Sequence, residues 1–88
     1  MEELKPIYDN VKSYYGKAII RSYDGFISLQ SYSDNVSTID TSKHIAIIWD
    51  NAILTKTTLR HIKEFLKQYG FVIGSKEKLC KMYLQPNL

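Results

Sequence analysis

The sequence predicts a small α+β domain: an antiparallel β-meander of three to four strands with helices packed on one face, in the order α-β-β-β-β-α-(β)-α. Three observations predict it. The chain has 88 residues, 44% of them apolar, which suits one core and is too little for two, so residues 1–88 read as a single domain. Asp24-Gly25 stands between two alternating apolar runs and marks a hairpin. Residues 56–69 repeat their apolar side chains at helical spacing.

Each element has its own signal. Residues 4–15 predict a first helix, because Leu4, Ile7, Tyr8, Val11, Tyr14 and Tyr15 recur at i, i+3, i+4 and i+7. Pro6 is tolerated in its first turn, and Gly16 is suited to stop it. The hairpin covers residues 17–32. Its type I′ turn sets Tyr23 opposite Phe26, Arg21 opposite Ser28 and Ile20 opposite Leu29. One face then carries Ala18, Ile20, Ile27 and Leu29, a natural core face. The other carries Lys17, Ile19, Arg21, Tyr23, Phe26, Gln30 and Tyr32 and is aromatic and basic. Ser33-Asp34-Asn35 reads as a turn. Strands follow at 36–40 and 44–49, the second so continuously apolar that it predicts a central place covered on both sides. Asp50-Asn51 breaks it, and Ala52-Ile53-Leu54 is expected beneath the next helix. That helix spans 57–69, capped by threonine hydroxyls at 55–58. Gly70 ends it, with Phe71 folding back onto Leu66. Residues 71–73 read as a short extended piece. A C-terminal helix covers 76–84, with Ser75 as its cap and Pro86 beyond its end.

Composition narrows the function. Net charge is +3 and the isoelectric point about 9.0. That permits an anionic partner and argues against an acidic surface that mimics DNA. One cysteine, Cys80, allows no internal disulfide, which fits a reducing compartment. It reads as a packed or incidental thiol. The longest apolar run, Ile45 to Trp49, is too short to span a bilayer, and no secretory signal stands out after Met1-Glu2-Glu3. The expectation is a cytoplasmic protein with no membrane partner.

Two surfaces are candidates for binding. Lys56, Arg60, Lys63 and Lys67 share a stripe of the helical 56–69 stretch roughly 60° wide at about 100° per residue. Such a row can track phosphates or acidic groups; it can equally be a solvated face, with Glu64 compensating part of the charge. On the hairpin, Tyr23, Phe26 and Tyr32 beside Lys17 and Arg21 could stack bases, form a protein interface or a dimer contact, or lie packed beneath the first helix. His61 and Glu64, one turn apart, could act as an acid–base pair or metal ligands. The pair lacks further ligands at motif spacing, however, and His61 reads as a surface or boundary residue. Paired carboxylates, glycine-rich phosphate loops, nucleophile motifs and multi-cysteine sets are all missing from the sequence. A non-enzyme without cofactor or metal is expected.

Tyr15-Gly16-Lys17-Ala18, Leu29-Gln30-Ser31-Tyr32, the run from Thr57 through Leu59-Arg60-His61-Ile62-Lys63-Glu64-Phe65-Leu66 to Gln68, and the closing Gly70-Phe71 together resemble a family of short uncharacterised proteins of phages, prophages and mobile elements. The likeness covers about residues 4–72. It transfers no catalytic residue. What it implies is context: small mobile-element proteins often act stoichiometrically, by binding a host protein or nucleic acid, and counter-defence proteins, anti-CRISPR inhibitors among them, are a frequent kind.

The resulting expectation is a non-catalytic accessory protein of a phage or mobile element. It would bind a host protein or nucleoprotein complex in the host cytoplasm through Lys56, Arg60, Lys63 and Lys67, with the sheet residues Lys17, Arg21, Tyr23, Phe26 and Tyr32 as a second contact. The alternatives are a nucleic-acid-binding module or small regulator using the same residues, a homodimer, and a small enzyme or metal-binding protein built on His61 and Glu64.

Overall fold

A computed structural model of the chain describes residues 2–5, 7–8, 17–32, 34–49 and 55–85. The elements are β1 (Glu2–Glu3), β2 (Ala18–Tyr23), β3 (Phe26–Ser31), β4 (Asp34–Asp40), β5 (Ile45–Trp49), α1 (Lys56–Gln68), α2 (Lys76–Tyr83) and β6 (Leu84–Gln85). The six strands form one sheet in sequence order. Every pairing is antiparallel except β5 with β6, which is parallel and returns the chain to the sheet after α2. The fold is a small α+β domain with both described helices after the meander.

The β2–β3 hairpin has the register its turn dictates. Tyr23 faces Phe26, Arg21 faces Ser28 and Ile20 faces Leu29. Asp24 and Gly25 both take positive φ, 47° and 81°, as a type I′ turn requires. β4 begins at Asp34, where a turn was expected. Ser31 pairs Asp34, and Tyr32, at φ 59°, turns the corner. The β3–β4 register slips between Leu29/Ser37 and Gln30/Asn35, which leaves Val36 as a bulge. Val36 and Ser37 are consequently both buried.

Alternation places Ala18, Ile20, Leu29, Ile39, Ala46 and Ile48 on one face of the sheet, where they meet Ile62, Phe65 and Leu66 of α1 and Leu79 of α2. β5 does not occupy the central, doubly covered position its composition predicts. It lies next to the sheet edge, and Ile45 is 49% exposed. The apolar residues on its second face serve an open surface.

α1 is capped as its sequence indicates. Thr55 Oγ1 accepts the N–H of Thr58 at 3.2 Å. At the other end the Phe71 N–H donates to the Leu66 carbonyl at 2.9 Å and the Gly70 N–H to that of Lys67 at 3.1 Å, with Gly70 at φ 85°. This is the paired-bond Schellman ending. Ser75 caps α2 through the N–H of Lys78, and Leu79 is its buried residue. Residues 71–73 are not a strand; the sheet recruits 84–85 instead.

The first helix expected at 4–15 is corrected where the structure describes it. Glu2–Glu3 pairs β2, the Leu4 N–H continues that ladder to the Ala18 carbonyl at 2.8 Å, and residues 5, 7 and 8 are not helical. Leu4 enters the core as extended chain, while Ile7 and Tyr8 are exposed. Residues 1, 6, 9–16, 33, 50–54 and 86–88, with the readings made for them, lie outside the described residues.

Candidate binding surfaces

α1 shows three sides. Ile62, Phe65 and Leu66 face the sheet and are fully buried. Lys56, Arg60 and Lys67 are exposed and Lys63 is half-buried. At about 100° per residue these four centre roughly 135° from the buried stripe, so they point away from the sheet. The third side carries His61, read from sequence as a surface or boundary residue, and Glu64, read as compensating part of the charge on a solvated face; the structure buries both. Glu64 is only 3% exposed and His61 is fully buried.

The cause is the N-terminal segment, which lies over this flank. The N–H groups of Ile7 and Tyr8 donate to the Glu64 carboxylate at 3.0 and 3.1 Å. Gln68 Nε2 donates to the same carboxylate and to the Lys5 carbonyl at 2.7 Å. The carboxylate thus satisfies two successive backbone donors, which a buried anion needs if it is to stay in the interior. Lys67 Nζ lies 4.6 Å over the Tyr8 ring. One clue was present in the sequence: Glu64 is the sole acidic residue among the four cations of this helix.

His61 is also engaged. Its Nδ1 is 2.7 Å from Ser31 Oγ, and Ser31 Oγ is 3.3 Å from Thr58 Oγ1. A Ser–His pair at this distance resembles a nucleophile and its base. Both side chains are buried, so the pair ties α1 to β3 as a polar contact within the core and offers no hydroxyl at the surface. Among the described residues, no group of three or more His, Cys, Asp or Glu could hold a metal ion.

The sheet face turned away from α1 is the second surface. Tyr23 of β2, Phe26 of β3, Asp40 of β4 and Ile45 of β5 stand in one row across the strands. Tyr23 is 52%, Phe26 39% and Ile45 49% exposed. A chain of hydroxyls runs beside this row. Tyr23 Oη meets Ser28 Oγ at 3.1 Å, Ser28 Oγ meets Thr38 Oγ1 at 3.1 Å, and Trp49 Nε1 donates to Thr38 Oγ1 at 3.0 Å. Four strands are cross-linked in this way, and sequence reasoning missed it. Its signal was small: Ser28 of β3 and Thr38 of β4, two hydroxyls that the β3–β4 register aligns. A hollow of about 210 Å³ lined by Arg21, Tyr23, Ser28, Gln30 and Asn35 adjoins it.

Charges on this face are mixed. Arg21 is exposed, and Asp40 lies in the row itself. The Ser42 hydroxyl beside Asp40 holds its carboxyl below the usual range, helped by the N–H groups of Lys43 and Ser42 and by the Lys43 charge.

Lys17 and Tyr32 are not part of that patch. They stand at the opposite end of the hairpin, six residues of β2 or about 20 Å away. The Tyr32 N–H donates to the Lys17 carbonyl at 2.7 Å, Lys17 Nζ is 5.9 Å from the Tyr32 ring centre, and the Tyr32 ring is 6.1 Å from that of His61. The nine candidate residues therefore divide. Arg21, Tyr23 and Phe26 lie on the open sheet face. Lys17, Tyr32, Lys56, Arg60, Lys63 and Lys67 gather around α1 on the other side.

Fold and surfaces together define a small α+β domain with two chemically different faces on opposite sides of one core. Residues 2–81 match the family of unknown function DUF8033, and the chain belongs to that family. No curated protein and no solved structure matches it.

Proposed function

We propose that this protein acts without catalysis, by stoichiometric binding to a host protein or nucleoprotein complex, and that the open sheet face supplies the protein contact. The observation that carries this reading is the exposed row of Tyr23, Phe26 and Ile45 on a rigid, hydroxyl-braced sheet. Aromatic anchors on a pre-organised surface supply most of the affinity at protein interfaces. The carboxylate of Asp40 within the row speaks for a protein here and against a phosphate backbone, which it would repel. The resemblance to short phage and mobile-element proteins supports a host complex as the target, and inhibition of a nucleic-acid-handling defence effector is its most concrete form. Electrostatic attraction by the α1 cations would speed the encounter.

The reading is tested by affinity purification from nuclease-treated host lysate with the wild type and with Phe26→Ser and Lys67→Glu. A defined partner retained by the wild type and by Lys67→Glu, and lost by Phe26→Ser, is expected. Retention by Phe26→Ser at wild-type level, or no partner from any form, contradicts it.

A further inference from the structure

The residues gathered around α1 carry an inference of their own, independent of the sheet-face reading. Two cation–aromatic pairs border the same flank of the helix. Near its first turns Lys17 reaches over Tyr32, which is 49% exposed and adjoins His61. Near its last turns Lys67 lies over Tyr8, which is 58% exposed and is held in place through its N–H by Glu64. From His61 to Lys67 the helix rises about 9 Å. Lys56 and Arg60 are exposed on the adjoining face. Glu64, the one carboxylate of α1, is buried and committed to backbone donors, so no carboxylate of α1 itself stands on the outer face of the helix. The described carboxylates bordering this surface are Asp34, two residues beyond Tyr32, and Glu2 and Glu3, past the Gln68–Tyr69 end.

We propose that the outer face of α1, together with the two cation–aromatic pairs at its border, binds single-stranded nucleic acid, with the phosphates on Lys56, Lys67 and Lys17 and with bases stacked on Tyr8 and Tyr32. Exposed aromatic rings set apart along a row of cations are how sequence-tolerant single-strand binders work. A duplex keeps its bases stacked inside and offers the two tyrosines nothing to stack on. A polyglutamate chain offers charge without flat rings. Charge and aromatics together therefore select the single strand.

The test is fluorescence anisotropy with a labelled oligothymidine of about 12 nucleotides, inside the ~4–16 nucleotides a small domain covers. Three phosphate contacts predict a slope of log K against log salt near about −2.1. Tyr8→Ala and Tyr32→Asn should each weaken binding about tenfold; asparagine tolerates the positive φ at position 32. Lys17→Glu and Lys67→Glu probe the same site through exposed side chains that leave the core untouched, and each should also weaken it. Phe26→Ser, on the opposite side of the sheet, should leave it unchanged. Absence of binding at low salt, equal affinity for the matching duplex or for polyglutamate, or tyrosine variants that fold and bind as the wild type does would each overturn the proposal.

Discussion

At the scale of single residues, Glu64 is the most consequential side chain that the sequence pattern misplaced. Helical periodicity sorts residues by polarity, and by that rule a glutamate 100° or more from the apolar stripe belongs in solvent. What buries it is chain from 57 positions earlier in the sequence, which no local pattern encodes. Its carboxylate accepts two main-chain N–H groups and the Gln68 amide. Hydrogen bonds to a charged group contribute about 1.5–3 kcal/mol, and donors left unsatisfied in the interior cost a similar amount. Glu64→Ala should therefore lower stability by about 2–3 kcal/mol, read from the denaturant midpoint, and should speed amide exchange at Ile7 and Tyr8. His61 was misplaced for the same reason, because its partner Ser31 comes from the hairpin. Asp40 supplies a pH dependence. Its folded pKa lies below the ordinary 3.8, so its share of stability is present above that value and is lost as the pH falls through the folded pKa. Comparing denaturation midpoints at neutral and at strongly acidic pH, Asp40→Asn should show a smaller drop than the wild type.

At the scale of elements, legibility followed how local the determinant was. The hairpin was readable to the residue pair, because Asp-Gly sets the turn, and the turn sets the register. α1 was readable to within one residue at each end, because its cap, its period and its Gly70 stop all lie inside it. Gly70→Ala tests that stop. It places a β-carbon in the left-handed region and should cost about 1–2 kcal/mol, with helical signal lost first at the C-terminal turn. β1 and β6 were not readable. Each has two residues, too few for a period, and each exists because an edge of the sheet offers unpaired backbone groups nearby. β4 was longer than expected because a bulge at Val36 let the chain stay in the ladder through residues with turn-like composition.

At the scale of the whole molecule, the nine binding candidates were legible as residue types and illegible as a layout. The sequence offered one mixed basic and aromatic set. The fold separates it: α1 covers one face of the sheet, so its cations look away from Tyr23 and Phe26, while the open end of the hairpin brings Lys17 and Tyr32 to the helix. No flat partner spans both faces at once. A nucleoprotein complex suits this arrangement, with protein on the sheet side and single strand on the helix side. Among the described residues no helix is long and apolar enough to cross a membrane. The most direct measurement is native mass spectrometry of the complex captured from nuclease-treated host lysate. A partner at a fixed stoichiometric ratio is expected with the wild type, preserved by Lys67→Glu and abolished by Phe26→Ser. A complex unchanged by Phe26→Ser, or one that vanishes with the nuclease, would contradict it.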